Sequence, residues 1–98
     1  MNTANLQLEG MYAVLAALVG AMREKGLLNG EEIDRLLAGV EKSLASDPHR
    51  PAEVRAANVE AICFPVRFLR LALQASSEGH QLSFAEVAGR VGLTKPDH

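Results

Sequence analysis

Residues 11–22 read Met-Tyr-Ala-Val-Leu-Ala-Ala-Leu-Val-Gly-Ala-Met, a run with no charged side chain and, apart from the Tyr12 hydroxyl, no polar one. A surface helix that leans on one neighbour keeps a polar face, whereas a helix that is apolar all round needs cover on several sides. In a chain of 98 residues such cover is scarce, and a second copy of the chain is a natural source of it. The run therefore predicts assembly rather than an activity.

The composition is that of one globular domain covering residues 1–98. A chain of this length supports a single core, and 48% hydrophobic with 22% charged residues argues against disorder. The net charge of −2 comes from 12 acidic and 10 basic residues without a basic block. No electrostatic source for binding a phosphate backbone is evident, so nucleic acid is not expected as a partner.

The apolar run predicts neither a membrane span nor a secretory signal. It is about eight residues shorter than the roughly twenty that cross a bilayer. The preceding segment, residues 1–10, contains Glu9 and no Lys or Arg, whereas a secretory signal begins with basic residues. We therefore expect a cytoplasmic protein that does not enter a membrane.

Helix-forming residues and helical spacing of apolar positions predict an all-α fold, a compact bundle of four or five helices. The first helix should end near Lys25, with Gly26 as the left-handed residue that follows it. Arg23 marks where this helix emerges into water. Two later segments have the sequence pattern of a capping box, which marks the beginning of a helix. In this motif the side chains of a capping residue and of an acid three residues later each hydrogen-bond the other's backbone amide. The two pairs are Asn29 with Glu32 and Ser83 with Glu86.

The third helix should begin with Pro51 at its first position and run to about Ser77, with Pro65 inside it. Proline removes the hydrogen bond to the carbonyl of Ala61, which predicts a kink or a break into two helices. Residues 66–75 are mostly apolar and form the second segment that needs cover on more than one side. Gly92 is predicted to end the last helix.

Together the two apolar segments predict a symmetric homodimer. In the first helix, apolar residues recur with a 3-4-3-4 spacing that places them in one stripe. These residues are Leu8, Met11, Leu15, Leu18 and Met22, and Tyr12 and Val19 widen the stripe. The segment after Pro65 supplies the rest of the seam. The predicted interface residues are Leu8, Met11, Tyr12, Leu15, Leu18, Val19, Met22, Phe68 and Leu69.

Chemistry-bearing residues form no recognisable catalytic, cofactor or metal set. His49, His80 and His98 are isolated, and no phosphate-binding glycine loop or nucleophile elbow occurs. Cys63 is the single cysteine and lies in an apolar segment, which is typical of a small buried hydrophobe. We therefore predict a protein that is not an enzyme and needs no cofactor.

Arg67 and Arg70 are the charges that most invite a specific role. They lie three apart on an otherwise apolar helix, a spacing that suits an anionic ligand or a partner carboxylate. A structural role remains the alternative, in which their stems cover apolar surface while their heads reach solvent, or they pair with Glu60 or with acids of a second chain.

The segment from Leu82 to Pro96 resembles the first helix and turn of the helix-turn-helix module found in many bacterial transcriptional regulators. The resemblance rests on a small residue within the helix (Ala88), a glycine at the turn (Gly92) and an apolar residue after it (Leu93). It implies that Thr94 would open a recognition helix, which reads bases in the major groove. Only four residues follow Thr94, so most of that helix is missing from the sequence.

These patterns lead to three alternative hypotheses for the function. The first is a non-catalytic protein-interaction or regulatory module that acts as a homodimer, with another protein as a further possible partner. The second is a DNA-associated transcriptional regulator that uses residues 82–96. The third is a small enzyme or ligand carrier with a site between subunits near Cys63, Arg67 and Arg70.

Overall fold

The computed structural model describes residues 3–47 and 56–94, and these form four α-helices with no strand among them. Their bounds are α1, Thr3–Glu24; α2, Gly30–Ala45; α3, Ala56–Ser77; and α4, Phe84–Thr94. The all-helical bundle predicted from the sequence is thus confirmed. α3 is the central helix, because α1, α2 and α4 each pack against it.

The connections from α1 to α2 and from α3 to α4 are built in the same way. Each first helix is followed by a glycine with positive φ, Gly26 at 75° and Gly79 at 85°. The amide of Gly26 donates to the Arg23 carbonyl and the next amide to the Met22 carbonyl, both at 3.0 Å. Equivalent bonds surround Gly79, so both ends are Schellman motifs, which require a residue that tolerates the left-handed region.

Both second helices begin with the capping box that the sequence predicts. Asn29 Oδ1 accepts the Glu32 amide while Glu32 Oε1 accepts the Asn29 amide, each at 2.8 Å. Ser83 and Glu86 exchange the same bonds at 3.0–3.1 Å. Because these bonds satisfy amides that have no partner within the helix, the two starts are fixed by local chemistry.

The core lies on two sides of α3. On one side, the rings of Tyr12, Phe68 and Phe84 pack together with centroid separations of 4.9–5.7 Å, and Val87 and Val91 of α4 complete the cluster. Aromatic pairs at these distances add to the stabilisation that their burial provides.

The other side of the core joins α2 to α3. Ile33, Leu69 and Leu73 form a buried cluster. From α1, Ala16 and Val19 pack against it. α3 therefore receives apolar side chains from all three other helices, and its own apolar residues find cover within the chain.

Two helix bounds differ from the sequence predictions. α3 continues as one α-helix through Pro65, so it is not broken there, and the bend stays a prediction. α4 passes Gly92 and ends at Thr94, so the prediction that Gly92 ends it is wrong. Burial of Val91 against the core holds the final turn and outweighs the weak helix propensity of glycine. Pro51 lies outside the described residues.

Candidate interaction surface

α1 contacts the rest of the molecule through one face only. Tyr12 is its one buried residue, and Ala16, Val19 and Arg23 on the same side are half-buried. These positions are three or four residues apart, so they share one side of the helix. Most of the remaining circumference of α1 has no neighbour among the described residues to cover it.

Large apolar side chains occupy much of that uncovered circumference. We call this set the α1 stripe, and between 38% and 58% of each side chain is exposed. It extends over fifteen residues, and its members are Leu8, Met11, Val14, Leu15, Leu18 and Met22. Together they expose on the order of 500 Å² of apolar surface, at the upper end of the largest patches on ordinary monomers.

The structure divides the predicted interface residues into two groups. Leu8, Met11, Leu15, Leu18 and Met22 belong to the exposed α1 stripe, and Val14 joins them. Four others contribute to the chain's own core instead: Tyr12, Val19, Phe68 and Leu69. The surface that remains for a partner is therefore on α1, because α2 and α4 already cover the segment after Pro65.

Arg67 and Arg70 both bind acids of α2. Arg67 Nε donates to Glu41 Oε2 at 2.8 Å. Arg70 binds both oxygens of Asp34, at 2.8 and 3.1 Å, and its Nη1 donates to Glu41 Oε1 at 3.0 Å. This is the structural role that the sequence left open, with acids of the same chain as partners.

The network shifts the ionisation of its members. The hydrogen bond from Arg70 lowers the pKa of Asp34. Burial acts to raise the pKa of Glu41, but the hydrogen bonds from Arg67 and Arg70 prevail and lower it. The bond to Asp34 in turn raises the pKa of Arg70. Asp34, Glu41 and Arg70 are therefore charged at neutral pH, and the network ties α2 to α3.

Cys63 is fully buried, with 0% of its surface exposed. Its Sγ lies 3.8 Å from the carbonyl oxygen of Glu41, at the contact between α3 and α2. Within residues 3–47 and 56–94, no group of three His, Cys, Asp or Glu side chains is placed as metal ligands would be.

Arg23 is the residue whose position the sequence missed. It was predicted to mark the emergence of α1 into water, yet its Nη1 donates to the carbonyl of Leu73 at 3.0 Å and its Nη2 to Ser76 Oγ at 3.4 Å. These partners are about fifty residues away in the chain. No local spacing signals such a contact.

As a helix, α1 is longer than the uncharged run that the sequence singles out. By length and composition it is apolar enough to cross a membrane, with a mean hydropathy of 1.2 over its most apolar window, of which 6% is buried. A signal sequence near an N-terminus and a core helix share this composition. The length argument against a span therefore applies to residues 11–22 and not to the whole of α1.

Comparison with known protein families, with curated proteins and with solved structures finds no match to this chain.

Proposed function

We propose that the protein is a non-catalytic interaction or regulatory module that works as a symmetric homodimer joined along the α1 stripe. One observation carries this proposal: six large apolar side chains lie in a continuous row on α1, outside the side on which Tyr12, Ala16 and Val19 pack. A row of this kind on a soluble surface marks an interaction site.

A second copy of the chain is the occupant that best fits the row. The 3-4-3-4 spacing places Leu8, Met11, Leu15, Leu18 and Met22 along the seam that two helices form when their side chains interlock. A two-fold axis brings the same patch of both copies together, so each stripe covers the other. No charged residue lies within the stripe to oppose the contact.

The exposed surface is large enough to contribute a substantial part of a stable interface. Standard interfaces bury about 800 Å² on each partner, and the stripe supplies more than half of this area. We also propose that α3 bends at Pro65 and that the protein is cytoplasmic.

Light scattering coupled to size exclusion tests the proposal. Samples between 1 and 100 µM, roughly the range of weak to moderate complexes, should give a mass that approaches twice the 10.5 kDa of the chain. A single-chain mass throughout would refute the dimer. Sedimentation of the chain with phospholipid vesicles would refute it as well, because the stripe would then be covered by lipid.

The regulator hypothesis predicts a different result. A DNA-binding dimer would shift duplex DNA at low salt and release it steeply as salt rises. Deleting residues 82–98 is no clean test, since Val87 and Val91 belong to the core. A gel shift with the whole chain is the suitable measurement, and we expect no shift at low salt.

A further inference from the structure

A groove of about 680 Å³ runs between α1 and the hairpin formed by α3 and α4. Its volume lies within the range of small-molecule sites. Its lining is separate from the α1 stripe and from the contact between Arg67, Arg70 and α2. The middle of the α1 wall includes the small residues Ala13, Ala17 and Gly20, and the aromatic rings of Tyr12, Phe68 and Phe84 also line the groove.

The groove is long. Its α1 wall runs from Leu6 to Glu24, which is eighteen helical steps or about 27 Å at 1.5 Å per residue. An extended acyl chain can lie along a wall of this length.

Polar groups gather at one end of the groove. Arg23, Ser76, His80 and Gln81 line it near the end of α1 and the connection between α3 and α4, with Glu24 also at this end. The middle of the groove is lined by apolar side chains, and Glu9 is the one charged residue near the start of α1. The groove is therefore apolar along most of its length and polar at one end, so its lining complements an amphiphile with an apolar tail and a polar head group.

Arg23 gives that polar end its charge preference. Its guanidinium is half-buried and donates to two neutral acceptors, the Leu73 carbonyl and Ser76 Oγ. None of the salt bridges among the described residues involves Arg23. A guanidinium held in place without a carboxylate partner is suited to bind one from a ligand.

We propose that this groove binds a single-chain carboxylate amphiphile of the fatty-acid class, with its tail along Ala13, Ala17 and Gly20 and its carboxylate at Arg23. The tail removes apolar surface of both partners from water. Ser76 and His80 stand beside the head group as further hydrogen-bonding partners. This site goes beyond the proposed dimer and does not depend on it.

The chain carries its own reporter for the groove. It has one tyrosine and no tryptophan, and that tyrosine, Tyr12, lines the groove. Palmitate, added below its micelle concentration, should change the tyrosine emission saturably with one site per chain. A conjugated-polyene fatty acid that absorbs tyrosine emission should quench Tyr12, and palmitate should displace it.

Ligand variants test the head group without altering the protein. Palmitic acid methyl ester and hexadecylamine share the tail but lack the carboxylate, and we expect both to bind roughly ten- to a hundredfold more weakly. Equal binding of the ester or the amine would overturn the assignment of Arg23. No response of Tyr12 to palmitate up to its solubility would overturn the site as a whole.

Two pairs of substitutions locate the site. Arg23→Met should weaken palmitate binding by a similar factor and Arg23→Lys should restore part of it, whereas Arg35→Met on the exposed face of α2 should have no effect. Ala17→Phe fills the groove and should abolish binding, while Ala85→Phe adds the same ring outside it. If the two phenylalanine variants bind palmitate alike, the fatty acid is covering the α1 stripe and the proposal fails.

The outcomes for this site and for the dimer are separable. Ala17 and Arg23 do not belong to the α1 stripe, so their variants should keep the mass of the wild-type assembly. Conversely, a Leu18→Glu variant that has become monomeric should still bind palmitate. Loss of binding on dissociation alone would show that the groove needs the second copy and would refute the single-chain site.

Discussion

Replacing Leu18 with Glu should separate the two copies of the chain. Leu18 is 58% exposed on the α1 stripe, so the folded single chain gains a charge at a position that already meets water. Surface changes of this kind alter stability by about 0.5 kcal/mol or less. In the dimer, the same carboxylate would be placed in an apolar seam.

The size of the effect follows from the exposed fractions. Covering the six partly exposed side chains contributes about 5–9 kcal/mol for each copy, since full burial of one is worth about 1.5–3 kcal/mol. After an association cost of about 4–15 kcal/mol, the balance is compatible with micromolar affinity, about −8 kcal/mol.

Leu18→Glu removes part of this gain twice, once in each copy. The lost burial is about 1–1.5 kcal/mol per copy, and desolvation of two carboxylates adds further cost. A total of about 3 kcal/mol or more weakens the dimer at least a hundredfold. Sedimentation equilibrium across a concentration series measures this change directly.

Leu36 on α2 supplies a matched control, because it is exposed to the same degree, 59%, and lies outside the α1 stripe. Leu36→Glu should leave the association constant unchanged. If both variants weaken the dimer equally, the contact does not run along α1. If Leu18→Glu leaves the mass unchanged while its helicity is intact, the seam lies elsewhere and the reasoning is refuted.

Three further outcomes follow from features of the fold. Asp34 and Glu41 have pKa values lowered by their arginine partners, so their contribution to stability is present above the unfolded pKa values near 4 and is lost as the pH falls through the lower folded values. In urea unfolding between pH 6 and 2, Glu41→Gln should therefore lose less free energy of unfolding than the wild type. An identical acid profile for the two proteins would contradict the assignment. Gly26→Ala should lower the free energy of unfolding by roughly 1–2 kcal/mol because φ is positive at this residue. Gly10→Ala inside α1 should raise it by up to about 1 kcal/mol. Thermal unfolding that ranks the two variants in the opposite order would refute this interpretation. Pro65→Ala should raise the melting temperature, since a proline inside a helix costs about 3 kcal/mol relative to alanine. A fall would indicate that packing around α3 requires the proline.

The sequence predicts best what local chemistry decides. Asn29 and Ser83 indicate where their helices begin because a capping box involves only two residues three positions apart. Gly26 indicates the end of α1 because few other residues adopt a positive φ. The 3-4-3-4 row on α1 is visible for the same reason, since spacing alone fixes which side chains share a face.

What the sequence leaves open is decided by contacts between distant segments. Residues 11–22 and 66–75 are similarly apolar, and nothing in either run indicates that α3 takes the central place and leaves α1 at the edge. That choice depends on α2 and α4, whose apolar faces both dock on α3. The pairing of Arg70 with Asp34 and the turn of Arg23 towards Leu73 likewise join residues 36 and 50 positions apart.

The one-sided attachment of α1 has a consequence for how the molecule opens. A helix held along a single side has fewer interactions to lose than the central α3, so its backbone amides should exchange with heavy water first, ahead of global unfolding. We expect α1 to detach by rotation at Gly26 while the other three helices stay together. Two molecules whose α1 helices detach at the same moment could trade them, and α1 would then be the part of the chain that passes from one copy to the other.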